Sequence, residues 1–131
     1  MATYLLSTHT SAEASPRGMS DQQMREGFAR VGALEDEMRS KGALVASGRL
    51  EEAAQAAVVR VADGRTITTD GPFVEAKEVL GGFYIIDAPS HEAALEWASK
   101  TSAAIGMPIE VRGFFGFRTE TPALEPSGVV R

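Results

Sequence analysis

Asp70, His9, Glu75 and Lys77 are the side chains of this chain best suited by type and setting to move a proton or hold an ion. Asp70 precedes Gly71 and Pro72 at what reads as a strand end. A carboxylate there, if withdrawn from water, serves as general base or acid. The plainer role is a turn residue whose carboxylate accepts backbone N–H bonds. His9 closes the first strand. Histidine is the side chain suited to proton transfer near neutral pH, and a strand end would aim it into a cleft between sheet and loop. Glu75 and Lys77 lie two apart. On an extended segment they share a face and would pair or bind an anionic ligand; on a helix they face apart. Tyr4, Phe28, Phe73 and Tyr84 are aromatic residues able to line a pocket for a ring-shaped ligand, or equally to fill a core. His91 reads as a surface residue at a helix start.

These residues need a frame, and its centre is the stretch at 68–83. Asp70-Gly71-Pro72 ends a strand, since proline fixes φ and removes a donor. Gly71, before proline, is expected to be extended. A charged segment follows, then Gly81-Gly82, which allows positive φ, a bulge or a close backbone approach. Residues 83–86, Phe-Tyr-Ile-Ile, form a continuous apolar run, expected as a strand buried on both faces. A special loop thus feeds the most buried strand, a setting in which loop residues carry function.

The rest of the chain reads in order. Residues 4–9 are a first strand, with Tyr4, Leu6 and Thr8 on one side and Leu5, Ser7 and His9 on the other. Residues 10–18 are a loop long enough to cover a cleft. Ser20 and Gln23 make a capping box, and Met24, Phe28, Val31, Leu34 or Glu35, and Met38 follow helical spacing up to a cap at Gly42. Gly27 and Gly32 inside this helix are expected to mark close packing on a sheet, because each otherwise costs about 1 kcal/mol against alanine. Residues 43–50 and 56–62 are strands. Asp63-Gly64 is a hairpin turn leading into residues 65–69. Strand 83–87 leads to a second helix over 91–104, capped by Ser90 and ended by Gly106 and Pro108. Residues 109–115 form the last strand. The domain is expected to span 1–118, and 119–131 to form a tail.

Composition narrows the options. The chain has 131 residues, enough for one domain and one core. It has no cysteine, so disulfides, thiolate zinc sites and cysteine nucleophiles are excluded. With no basic region before the first apolar residues, the start does not read as a signal peptide, and a cytoplasmic location is expected. A formal charge of −5 argues against direct nucleic-acid binding. No apolar run is long enough for a membrane span. No paired histidines or calcium-ligand spacing point to a metal, and no glycine pattern points to a phosphate-bearing cofactor; none is expected.

The element order is β-α-β, a hairpin, then β-α-β. Two such units on one antiparallel sheet make the α+β, ferredoxin-like arrangement, with both helices on one face. The other face still needs cover, because Phe83 and Ile85 point away from Tyr84 and Ile86. A second copy, sheet against sheet, is the simplest cover, so a homodimer is expected.

Asp70-Gly71-Pro72-Phe73, Glu75, Lys77 and Gly81-Gly82-Phe83-Tyr84 resemble the signature of the YCII-related (DGPF-domain) proteins. The Asp63-Gly64 hairpin, residues 93–98 in the second helix and 109–112 in the last strand fit as well, so the resemblance covers roughly 4–115. It implies the dimeric α/β-barrel type of ferredoxin-like fold. Related proteins of that type include small-molecule isomerases, dehydrochlorinases and monooxygenases acting on phenols and lactones. Some DGPF-type domains resemble companions of extracytoplasmic-function (ECF) sigma factors. One branch carries a histidine early in the first helix with an aspartate near it; residues 19–28 hold no histidine here, so that dyad is not carried over. Most DGPF-type members have no assigned activity, and the residues and the resemblance together leave two functions open. One is a small-molecule-binding homodimer, acting as a cofactor-independent isomerase or lyase with Asp70 or His9 as base and Lys77 steadying an anion. The other is a non-catalytic regulatory or interaction module.

Overall fold

The computed structural model describes residues 1–11 and 18–119. Six strands and two helices run in the order β1 (Ala2–Ser11), α1 (Asp21–Ser40), β2 (Leu44–Arg49), β3 (Ala57–Ala62), β4 (Arg65–Asp70), β5 (Glu78–Ala88), α2 (His91–Ile105) and β6 (Glu110–Gly113). A short 3-10 turn, Ala53–Gln55, interrupts the linker after β2. The loop read at 10–18 and the tail read at 119–131 fall largely outside the described residues.

β2, β5, β1 and β6 form one four-stranded sheet in that order, every neighbouring pair antiparallel. This is the strand order of a ferredoxin-like α+β fold. β3 and β4 do not join it; they form a two-stranded sheet of their own.

Local chemistry accounts for the helix ends. The Ser20 hydroxyl accepts from the Gln23 N–H at 3.1 Å, and the Gln23 side chain accepts from the Ser20 N–H at 3.0 Å, closing the capping box. At the other end Lys41 is the cap and Gly42, one position on, takes a φ of +68°. Ala43 N–H then reaches back to the Met38 carbonyl at 2.8 Å, satisfying a carbonyl the helix leaves over. The Ser90 hydroxyl caps α2 by accepting from the Ala93 N–H at 3.1 Å, without a capping-box return bond, and Gly106, at φ +81°, ends the helix.

Cross-strand register assigns the two sides of the sheet. Tyr4 faces Ile86 and Leu6 faces Tyr84, and these four lie in the core with Leu34 and Met38 of α1 and Ala94 and Ala98 of α2. Trp97 packs beside this core. The ammonium groups of Lys100 and Lys41 stand 5.1 and 5.6 Å from its ring centroid. Both lysines also reach Glu37 on α1, Lys41 at 3.1 Å. The hydrogen bond from Lys100, then that from Lys41, holds the Glu37 carboxyl below its usual range.

Among the described residues the opposite side of the sheet carries no helix. Row by row it shows Glu110, Ser7, Phe83 and Gly48, then Arg112, Leu5, Ile85 and Ala46, then Thr3 and Asp87. Thr3 donates to the Asp87 carboxylate at 2.8 Å. The Phe83 ring reaches over Gly48: a Cβ there would sit 2.8 Å from the ring tip.

Several expectations change. The run 83–86 is buried on one side only; Tyr84 and Ile86 are covered by the helices, whereas Phe83 and Ile85 are half-buried on the open side. β5 begins earlier than the apolar run, at Glu78, because its charged start pairs with the end of β1. Gly71 is not extended; it takes φ +93°, which its missing Cβ allows. The stripe on α1 is only half used. Leu34 and Met38 are buried, but Met24 is exposed and Phe28 is 67% exposed, so the first turns overhang the sheet. Close packing does not account for Gly32, since a Cβ there would meet nothing within 4 Å beyond its own helix.

Candidate functional site

The end of β1 is where polar side chains and open space meet. Alternation puts Leu5, Ser7 and His9 on the open side. Opposite the Thr8–His9 step the register of β5 slips, leaving Gly81 as an extra residue between the partners Gly82 and Leu80. This β-bulge brings Leu80 beside His9. Glycine suits the crowded bulge: a Cβ on Gly82 would approach the Gly48 carbonyl to 3.2 Å.

His9 is half-buried. Its Nε2 lies 3.0 Å from the Ser7 hydroxyl and 3.9 Å from the Glu110 carboxylate. Ser7 is 2% exposed, a hydroxyl sealed into the open side of the sheet, and Glu110 is its cross-strand partner on β6. Both neighbours address the same ring nitrogen. A serine-nucleophile relay needs the hydroxyl and the carboxylate on opposite nitrogens, so this is not that arrangement. It is an imidazole flanked by a hydroxyl and a carboxylate, with Arg112 one row further on the same side.

Next to it runs a groove of about 380 Å³. Leu50, Ala56, Pro72, Val79 and Leu80 line it, and it takes in Glu51 and Glu52. Two backbone bonds shape it: Leu50 N–H to Gly81 O at 2.8 Å, and Gly71 N–H to Ala56 O at 2.7 Å. Leu80 joins the two features, as a groove wall and as the cross-strand partner of His9. Its walls are mainly apolar, the common character of small-molecule sites.

The other expected site residues lie elsewhere. Asp70 is the last residue of β4 and is exposed. Its carboxylate makes no hydrogen bond or ion pair among the described residues, so it neither caps the turn nor meets a second titratable group. The central loop touches the groove through Pro72, not through Asp70. Glu75 and Lys77 are exposed, and Ala76 N–H bonds to Phe73 O at 3.0 Å, so the segment turns rather than extending and the pair does not form. Phe73 is 69% exposed. Tyr84 is in the core on the helix side, and its hydroxyl donates to Glu35 Oε2 at 2.6 Å. Burial first, then that hydrogen bond and the charge of Glu35, push the Tyr84 phenol well above its ordinary value. The four aromatics therefore form no pocket: Tyr4 and Tyr84 are core, Phe28 and Phe73 are surface. His91 is exposed at the start of α2, its ring 6.2 Å from that of Tyr4.

Ser7 and Glu110 are the partners that sequence reading missed. Strand alternation already placed Ser7 beside His9. Glu110 lies about a hundred residues from His9 along the chain, and only the pairing of β6 with β1 brings it there. Among the described residues no group of three or more His, Asp or Glu side chains is placed to hold a metal ion. No helix among them is long and apolar enough to cross a membrane.

The family model for the YCII-related domain matches residues 1–112. An uncharacterised protein of Rhizobium meliloti (strain 1021) is 40% identical over 74 residues, which is 56% of this chain. The match spans 60% of that relative's length.

Proposed function

The chain belongs to the YCII-related domain family, and from that premise we propose that it is a homodimer binding a small organic molecule in the groove beside His9. The observation that carries this is Leu80, shared between an apolar groove and a half-buried imidazole flanked by Ser7 and Glu110. The chemistry is proton transfer: His9 takes a proton from an acidic C–H or O–H of the ligand and returns it to another atom, as an isomerase or lyase without a cofactor does. Sheet-to-sheet pairing of two copies, the dimeric α/β-barrel arrangement, covers Leu5, Phe83 and Ile85 on the open side and leaves His9 near its margin.

A second reading, a non-catalytic regulatory or interaction module such as a companion of an ECF sigma factor, is favoured by the loop after Asp70. Phe73 is 69% and Val74 92% exposed there, an apolar pair of the kind proteins contact.

A thermal-shift screen of phenols, lactones and organic acids separates the two when run on wild type and on His9→Gln. A compound that raises Tm in wild type and much less in the variant supports the site. Equal shifts in both proteins, or none across the screen, remove His9 from the account and favour the second reading.

A further inference from the structure

The monomer does not account for the arm made by β3 and β4. Every residue of the two strands is exposed except Val58, which is half-buried. Among the described residues the arm makes no substantial contact with any other strand or helix. Yet it is rich in β-branched residues. Val59 and Val61 are 61% and 70% exposed, and the register sets them on one face with Thr66 and Thr68. A two-stranded hairpin with nothing against it is marginal in water. Its outer edges also offer unpaired N–H and C=O groups, which natural proteins cover or blunt.

The place where the arm leaves the body is informative. Its root is the Gly71 N–H to Ala56 O bond, directly after the linker that follows β2. That linker is itself fixed on β5 through Leu50 N–H to Gly81 O. The arm therefore starts at the end of the edge strand of the sheet whose open side carries Leu5, Phe83 and Ile85.

We infer that the arm is an exchange arm for a second copy of this chain, its Val59–Val61 face packing on the partner of the sheet-to-sheet dimer. This rests on the dimer proposed above. A copy that covers the open side is in reach of an arm rooted at the same sheet's edge, and two-fold symmetry makes the contact twice, covering both arms in one interface. The arm selects no strongly charged partner: Arg60 and Arg65 are balanced by Asp63 and Asp70.

The test is amide hydrogen exchange on the full chain over a dilution series, with sedimentation in parallel, on wild type and on the double variant Val59→Asp, Val61→Asp. The arm packs on no other element among the described residues, so the double substitution leaves the monomer's helices and sheet in place, which circular dichroism checks. Expected are arm amides protected in the dimer and released on dilution to monomer. The double variant should have a dimer Kd raised at least about a hundredfold, from four valines no longer buried. A dimer whose arm amides exchange like unstructured peptide, or a double variant that dimerises like wild type, overturns the arm's role and leaves the dimer standing. A wild type that sediments as a monomer at every concentration overturns both.

Discussion

At the residue scale, Tyr84 and Asp70 show how burial separates two polar groups with similar claims on paper. Tyr84 keeps its proton in the folded chain at a pH where the unfolded chain has released it, because burial and Glu35 hold its phenol above the ordinary 10.0. Its contribution to stability is therefore full below about pH 10 and falls as pH rises from there toward the folded value. Urea unfolding at a series of alkaline pH values should show that decline, and Tyr84→Phe should abolish the part due to this group. The variant should also lose about 1.5–3 kcal/mol at neutral pH, the worth of a hydrogen bond to a charged group. Asp70→Asn should leave stability within about 0.5 kcal/mol of wild type, as exposed substitutions without partners do. A clear drop in its Tm would mean the carboxylate holds the loop after all. Asp70 drew attention because its neighbours in sequence are unusual. What a side chain meets, however, depends on elements distant in sequence, and of the two candidate bases, Asp70 and His9, only His9 gained such neighbours.

At the element scale, α1 is a helix whose ends follow from its caps and whose middle does not follow from its stripe. Ser20 and Gln23 announced the start and Gly42 the end, since capping is local chemistry. The inward face was half legible: Leu34 and Met38 are buried, whereas Met24 and Phe28 continue the same spacing beyond the edge of the sheet. Periodicity records which residues share a face, not how far the opposing surface extends. Gly32 illustrates the point from the other side. With open space around it, Gly32→Ala should stabilise the chain by about 1 kcal/mol, read from denaturant midpoints at constant slope. Destabilisation would reveal a packing demand on that helix face. The strands were legible from alternation and turns, including the hairpin at Asp63-Gly64. That the hairpin stands apart from the main sheet was not legible, because its pattern of valines and threonines suits an inserted strand pair as well as a projecting one.

At the scale of the whole molecule, the ferredoxin-like order was legible from the succession of elements, and the open side of the sheet from Phe83 and Ile85 alternating with Tyr84 and Ile86. If two copies meet there, Ile85→Lys should yield a folded monomer. Sedimentation reads the mass and circular dichroism the fold; a variant that stays dimeric would place the interface elsewhere. The molecule also has two parts of unequal cohesion, a helix-covered sheet and an arm joined to it at one root. Trp97 is the single tryptophan, and it lies wholly in the first part, between Lys41 and Lys100 at the junction of the helices. Its fluorescence therefore reports the docking of α1 and α2 and is blind to the arm. On heating the dilute chain, far-ultraviolet ellipticity should begin to change before the indole emission does, as the arm melts first.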